Sequence, residues 1–511
     1  METFREELED GIVFNGKSIS SNEHVYTIEN HSDEILIFTI DCFGSDNVYI
    51  KDSEHPLKTC INVKPASISS KIYVCKANPK LPHEIKMNKF WEFEAHDSET
   101  YAEVTSSWDE AVDFLLESTI SAPELIGDNR PRAQLIELLH KKGAMFVDPT
   151  FPPYSKTLYT VSMEGKFKSI VYRKLTQFGR DWTLLHQDIQ AETLVLGNLP
   201  DSWLITAIAC LIECPQLVSN LFPEDYRTLV DEGIYKVYLY INFERVGIVL
   251  DDYIPCIMNG GPAYTRCISN AAWILFVEKA FAKRYGGYHV IVSGNPVEAM
   301  MDLSGCPALS LRLDDSDTHH EVDKDLFWPR IVDYFKRGYI LSLTSGKLIE
   351  DTTGLISGHS FVIVNLVLAS SGERFVKLRD PWGLLEFISS WGKRSPLWTP
   401  QLRREVGATE EEYVSGVHWI SFEAMIERFF TLNVLMVRRN AETLLGYKEY
   451  RKQIRFFMNP QSGIPECGHF TFEPKSDNSI IIALQQSDAD LAKPYLDIGI
   501  VVLMADVKHH F

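Results

Sequence analysis

The sequence lacks the features of secreted, membrane-spanning and nucleic-acid-binding proteins. Its nine cysteines are an odd number, scattered without a CxxC pair, which favours a reduced, intracellular protein. No stretch approaches the roughly 18–20 apolar residues of a membrane span, and the N-terminal METFREELEDG has no apolar signal core. The formal net charge of −20 is the opposite of the basic excess that binds nucleic acid. We therefore expect a cytoplasmic protein with protein or peptide partners, no nucleic acid and no membrane contact.

The chain also lacks internal repeats, low-complexity linkers and any EF-hand loop. A length of 511 residues with 45% hydrophobic residues is enough for about three or four packed domains.

The first third of the chain divides into a strand-rich part and a helical part. Short β-type runs such as VYTIEN, EILIFTID and FWEFEA are separated by turn clusters, which predicts a β-sandwich domain over residues 1–95. Residues 96–145 are predicted to be a helical connector. Within it, Ser107 or Ser106 is expected to cap WDEAVDFLLES, and a second helix is expected between Pro131 and Gly143.

The rest of the chain changes from mixed to strand-rich character. One helix is predicted from Ser202 to about Cys214 and another from Ala271 to about Arg284. After about residue 310 the apolar runs are mainly of strand type.

The runs 360–369 and 374–379 are joined by Ser-Ser-Gly-Glu and predict a β-hairpin. His359 precedes the first strand and Asp380 follows the second, so both lie at the open end of this hairpin. We expect them to form a pair in which the carboxylate orients the imidazole.

The stretch LGNLPDSWL places Ser202 at the start of an apolar helix. Free backbone N–H groups and the positive end of the helix dipole lie at such a position, which suits a nucleophile. A helix cap is the alternative interpretation of the same serine.

Several of these segments together resemble the calpain family of papain-like cysteine proteases. The family segments are roughly QGxLGDCWLLAAI, GLxxGHAY and LRNPWG, and this chain has LGNLPDSWLITAI, GLISGHSF and LRDPWG in the same order. FVDPTFPP, IVLDDYIP and WILFVEKAFAKRYGGY also match, so that the resemblance covers about 146–438.

The resemblance implies an α+β fold with a two-part papain-like core. Residues 146–310 would be the helical half with the nucleophile position, and 311–438 the β half with the histidine and the acid. Residues 439–511 resemble the opening of a truncated C2-like β domain. The organisation with an N-terminal β domain is similar to that of calpain-like proteins of kinetoplastids and other protists.

The catalytic positions depart from the family pattern. The nucleophilic cysteine is matched by Ser202, the asparagine that orients the histidine by Asp380, and the oxyanion glutamine by Leu196, while His359 is unchanged. Because a leucine cannot donate a hydrogen bond, we expect a catalytically inactive protein that acts as a regulatory, peptide-binding or cytoskeleton-associated scaffold. The alternative is a hydrolase with a Ser202-His359-Asp380 triad, and a third is calcium-dependent lipid binding through the tail.

The family's calcium ligands are matched only in part. Glu278 and Glu386 lie at ligand positions, but other ligand positions carry Thr193, Lys393, Ser415 and Val417. Calcium needs about six to eight oxygen ligands. We therefore expect no cofactor, and interpret both glutamates as surface or salt-bridged carboxylates rather than ligands. Trp203 and Trp382 match positions that flank the family's cleft.

Overall fold

The structure is a computed structural model of the whole chain. It describes residues 3–437 apart from the following gaps: 9–11, 31–34, 43–44, 46, 52–56, 64–66, 69–71, 79–81, 83–84, 95–97, 122, 126–130, 145, 160–169, 176–181, 186–193, 196, 198, 224–232, 243, 258–260, 268–270, 347–357, 382–389, 393–394 and 410–415. The predicted C2-like tail, Leu196, Trp382 and Glu386 lie outside the described residues.

The N-terminal part consists of two antiparallel sheets. Its strands are β1 (Thr3–Glu7), β2 (Ile12–Ser20), β3 (Glu23–Asn30), β4 (Ile35–Asp41), β5 (Val48–Ile50), β6 (Lys58–Val63), β7 (Ser67–Ile68), β8 (Ile72–Lys76) and β9 (Asn88–Glu94). One sheet has the order β1-β2-β3-β8-β5 with β7 beside β3, and the other has the order β6-β4-β9. Phe14 of the first sheet stacks on Phe38 of the second, with ring centroids 5.7 Å apart, so the apolar faces of the two sheets meet.

Two helices follow, α1 (Ser98–Ile120) and α2 (Arg132–Lys142). A short 3₁₀ turn at Pro123–Leu125 lies between them. The prediction that Ser107 or Ser106 caps a helix was wrong, because α1 begins at Ser98. A serine inside a helix costs only about 0.5 kcal/mol relative to alanine, so it does not stop one. The predicted ends of α2 are confirmed, since Pro131 precedes it and Gly143 ends it in the left-handed conformation, with φ of 59°.

The helical half of the core surrounds one long apolar helix. Its elements are α3 (Ser155–Leu158), β10 (Ile170–Lys174), β11 (Leu194–Val195), α4 (Ser202–Ile212), α5 (Pro215–Asn220), β12 (Ile234–Ile241), β13 (Glu244–Asp251), β14 (Tyr253–Ile257), β15 (Arg266–Cys267), α6 (Trp273–Tyr285) and α7 (Pro296–Ser304). Every residue of α4 after Ser202 is buried. The two helices predicted from the apolar pattern are therefore α4 and α6.

The second half is built on a six-stranded antiparallel sheet. Its elements are β16 (Ala308–Arg312), α8 (Ser316–Asp323), α9 (Phe327–Lys336), β17 (Ile340–Ser345), β18 (Ser360–Leu368), β19 (Arg374–Arg379), α10 (Pro400–Val406), β20 (Val417–Ser421), α11 (Phe422–Arg428) and β21 (Phe429–Leu435). The strand order is β16-β21-β17-β18-β19-β20. The predicted hairpin is confirmed as β18 and β19, which pair antiparallel with Leu368 opposite Arg374. Among the described residues no helix is both long and apolar enough to cross a bilayer.

Three sequence motifs of the helical half meet in a buried charge network. Lys279 of α6 forms an ion pair with Asp251 and donates to the carbonyl of Tyr253 at 2.6 Å. Lys283, one helical turn later, binds Asp148 Oδ2 at 2.9 Å. The backbone N–H of Asp148 in turn donates to Asp251 Oδ2 at 2.9 Å. Paired charges thus join the segments FVDPTF, LDDYIP and EKAFAK.

Candidate active site

The start of α4 presents Ser202 to solvent from an otherwise buried helix. Asp201 occupies the position before the helix and accepts the backbone N–H groups of Leu204 and Ile205 at its carbonyl, at 2.9 and 3.2 Å. Ser202 is the first helical residue and is exposed. The interpretation of Ser202 as a helix cap was therefore wrong, since Asp201 holds that position. The serine hydroxyl lies where the N-terminal N–H groups of a helix favour negative charge.

Trp203 anchors the helix start on the side of the helical half. Its indole N–H donates to the carbonyl of Ile291 at 2.7 Å. Its ring contacts Phe281 edge to face, with centroids 5.9 Å apart. Gly294 lies so close that a Cβ there would stand 2.5 Å from the indole. Because only a glycine leaves this room, Trp203 is held rigidly next to Ser202.

His359 and Asp380 are brought together as the hairpin prediction requires. His359 Nε2 lies 3.0 Å from Asp380 Oδ1, and the two residues are only 4% and 2% exposed. The backbone of His359 is fixed by the Ser345 hydroxyl, which accepts its N–H at 3.0 Å. The N–H of Asp380 donates to the carbonyl of Gly416 at 2.7 Å. Nε2 is therefore the ring nitrogen that meets the carboxylate.

A second buried histidine, His418, stands beside this pair and was missed in the sequence. It lies on β20 opposite Leu378 of β19, and its ring meets Phe361 edge to face at 6.3 Å. Burial lowers the pKa of His418 to about 4, the charge of His359 lowers it too, and the charge of Asp380 opposes both. Its Nε2 atom has no hydrogen-bond partner among the described residues. The available signal was one histidine within the apolar strand VHWIS.

Because His418 is buried in its neutral form, we expect it to make the folded protein less stable in acid, and His418→Phe should remove this effect. The pKa of the folded state, about 4, is below the ordinary value of about 6.5, so the unfolded chain binds the extra proton between these pH values. Above about pH 6.5 the protonation of His418 therefore does not reduce the free energy of unfolding. As the pH drops toward 4, the free energy of unfolding falls by up to about 3 kcal/mol. Melting temperatures of both proteins from pH 7.5 to 4.5 test this, because the two proteins differ only at position 418. Parallel curves would show that His418 contributes nothing.

Glu278 does not lie at the surface, which corrects the sequence interpretation. It is 2% exposed and accepts the backbone N–H of Thr265 at 3.4 Å. Its carboxyl group faces that of Asp201, which is fully buried. Burial raises the pKa of Asp201 to about 7, and burial together with the charge of Asp201 raises the pKa of Glu278 well above its usual range. Burial and the proximity of a second carboxyl group both favour the neutral form of an acid, which is why both pKa values are raised.

The described residues at this place do not fit a calcium ion. Calcium prefers six to eight oxygen ligands, several of them ionised, whereas the Glu278 carboxyl is directed at another acid in a dry environment. No three acidic, histidine or cysteine side chains in the described part of the chain lie close enough to hold a metal.

Comparisons with known proteins agree with this geometry. Residues 146–436 match the model of the calpain family of cysteine proteases. Over 320 residues, the chain is 26% identical to the calpain-type cysteine protease DEK1 of Zea mays, covering 60% of this chain and 15% of that protein. It is 24% identical to the calpain-2 catalytic subunit of Mus musculus over 324 residues, covering 60% and 45%. It is also 24% identical to mouse calpain-8 over 307 residues, covering 57% and 42%.

The matched region thus spans less than half the length of each of these relatives. It contains the start of α4, the His359–Asp380 pair and the buried charge network. The family match extends over more than half of the chain, from the first network motif to the end of β21. This chain therefore belongs to the calpain family of cysteine proteases.

Proposed function

We propose that this protein is a catalytically inactive member of its family, similar to protist calpain-like proteins, whose cleft binds peptides or proteins without cleaving them. The observation that carries the proposal is the serine at the start of α4, where the family's chemistry uses a thiolate. A cysteine next to a histidine at a helix start ionises readily, whereas a serine hydroxyl must lose its proton during attack. Cys210 and Cys214 are buried further along the helix and beyond it, so neither replaces the missing thiol.

The surroundings of Ser202 support binding rather than catalysis. Trp203, at a position that flanks the cleft in the family, is fixed by its hydrogen bond to Ile291 and by close packing on Gly294. Leu196, six residues before Ser202, supplies no side-chain donor for an oxyanion. Loss of one such donor typically costs about 2.7–4 kcal/mol of transition-state stabilisation. Retention of the family's fold around Ser202 together with the loss of catalytic groups favours a regulatory or scaffolding role.

The kind of partner follows from charge and cysteine usage. The net charge of −20 favours protein or peptide partners over nucleic acid. Cysteines that are scattered without a CxxC pair are typical of proteins in the reduced interior of a cell. We include a cytoplasmic location in the proposal on this basis, and an association with the cytoskeleton because the resemblance to protist calpain-like proteins implies it.

A serine hydrolase is the second candidate, and one observation favours it. The hydrogen bond of 3.0 Å between His359 and Asp380 resembles the base and acid of a Ser-His-Asp triad. A buried carboxylate stabilises the imidazolium that forms when serine gives up its proton. The two candidates therefore differ in one property, the nucleophilicity of Ser202.

An active-site probe distinguishes the two candidates. A fluorophosphonate labels a serine only when a base activates it. We expect neither labelling of the full-length protein nor hydrolysis of fluorogenic peptides, with or without calcium, and the same result for Ser202→Ala. Labelling that disappears in Ser202→Ala would contradict the proposal and establish the hydrolase.

A further inference from the structure

A buried hydroxyl pair joins the two halves of the core directly beneath the site. Thr206 lies one turn after Ser202 on α4, in the helical half, and Ser360 follows His359 at the start of β18, in the sheet half. Thr206 Oγ1 and Ser360 Oγ are 2.7 Å apart, and each residue is 2% exposed. Each hydroxyl is therefore adjacent to one of the two residues that would have to meet during catalysis.

The pair belongs to a longer chain of hydrogen bonds. Thr206 Oγ1 is also 2.7 Å from the carbonyl oxygen of Ser202, and Ser360 Oγ is 3.2 Å from Thr344 Oγ1 of β17. The side-chain amide of Asn433 on β21 donates to Thr344 at 3.4 Å. The Thr206 hydroxyl is the donor toward both Ser360 Oγ and the carbonyl of Ser202, so its one proton is shared between them. Three strands and the helix start are thereby connected by buried and partly buried hydrogen bonds.

Two further contacts cross the same boundary. Arg379, next to Asp380, donates to Glu213 at the end of α4 at 2.7 Å. Glu213 lies seven residues, or two helical turns, after Thr206, so both are on one face of the helix. The N–H of Leu194 donates to the carbonyl of Pro381 at 2.9 Å. All three contacts exist only when the halves are in register.

The hydroxyl pair is specific to this chain's version of the motifs. The family segments CWLLAAI and GHAY have alanine at both positions, whereas this chain has SWLITAI and GHSF. An unpaired hydroxyl in a dry interface would cost free energy, while a matched pair removes that cost. The two polar residues therefore support each other across the boundary.

We propose that Thr206 and Ser360 are positioning residues that hold the two halves of the core in register without a bound metal ion. This proposal goes beyond the proposed function and does not depend on whether Ser202 is a nucleophile. In this role the hydroxyl chain fixes the start of α4 against the strand that carries His359.

Hydrogen exchange of the full-length protein tests the role. Exchange of peptides from α4 and β18 is compared in excess EDTA and in millimolar calcium. We expect the wild-type rates to agree within about twofold, because no metal is needed for the alignment. A slowing of tenfold or more on adding calcium would overturn the proposal.

Matched variants separate positioning from general packing. Thr206→Val keeps the side-chain shape but removes the hydroxyl, and should speed exchange of both segments about tenfold, whereas Thr206→Ser keeps the hydroxyl and should stay near wild type. Ser360→Ala should resemble Thr206→Val, and the double variant should be no worse than the stronger single, because the shared bond is lost only once. The β12–β13 hairpin serves as internal control and should not change. Unchanged exchange in Thr206→Val, equal effects of the serine and valine variants, or additive effects of the two single changes would each contradict the proposal.

Discussion

Ser202→Cys alone is expected to leave the protein without measurable peptidase activity. The substitution would place a thiol at the start of α4, where the dipole and His359 favour a thiolate. It would leave Leu196 at the position that in the family supplies an oxyanion donor. One missing donor typically reduces kcat by about 10²–10³-fold. The backbone N–H of residue 202 would remain as a lone donor.

Activity should appear only when the second position is also changed. We expect Leu196→Gln combined with Ser202→Cys to give detectable cleavage of fluorogenic calpain peptides, while Leu196→Gln with the native serine stays inactive. Alkylation by iodoacetamide checks that the new thiol is accessible in both cysteine variants. Strong proteolysis by Ser202→Cys alone would refute the importance that we give to Leu196.

Much of the local structure near the site was predictable because each element has a periodic signal. The apolar run after Ser202 identified α4, and α6 was recognised in the same way. Two strand-type runs separated by a Gly-containing turn identified the hairpin β18–β19. The proximity of His359 and Asp380 followed from that hairpin alone, since both residues flank its open end. No long-range packing information was needed for this step.

The missed features depend on contacts between distant segments. In the sequence, Glu278 looks like a surface carboxylate of a helix. Only the folded structure shows that it is buried against Asp201. His418 is adjacent to the site because β20 pairs with β19, a pairing that no local pattern specifies. The start of α1 was placed too late because serine is a weak stop signal within a good helical sequence. The proposed inactivity rests partly on Leu196, which was identified by the family resemblance and not by a strand or helix pattern.

Buried charges in the helical half show how distant motifs become one unit. Asp251 is inaccessible to solvent, and its carboxylate accepts the N–H groups of Asp148 and Tyr253 as well as the Lys279 ammonium. Burial raises the pKa of Asp251, and the charge of Lys279 acts against this rise. The lysine is therefore the group that makes an ionised aspartate tolerable there. Removing it should be far more costly than removing a surface ion pair.

Lys279→Met is expected to destabilise the core by about 3–5 kcal/mol, because it leaves the charge of Asp251 buried without its cation. For a domain of this size that corresponds to a fall in melting temperature of roughly 10 °C, measurable by tryptophan fluorescence. Arg312→Met is the matched control, because it removes an exposed ion pair. The side chains of Arg312 and Asp314 are 62% and 47% accessible. This change should alter the free energy of unfolding by less than about 1 kcal/mol. Adding Asp251→Asn to Lys279→Met should recover part of the loss if the uncompensated charge is the cause. Equal melting temperatures for Lys279→Met and the control would mean that the network contributes no more than a surface pair.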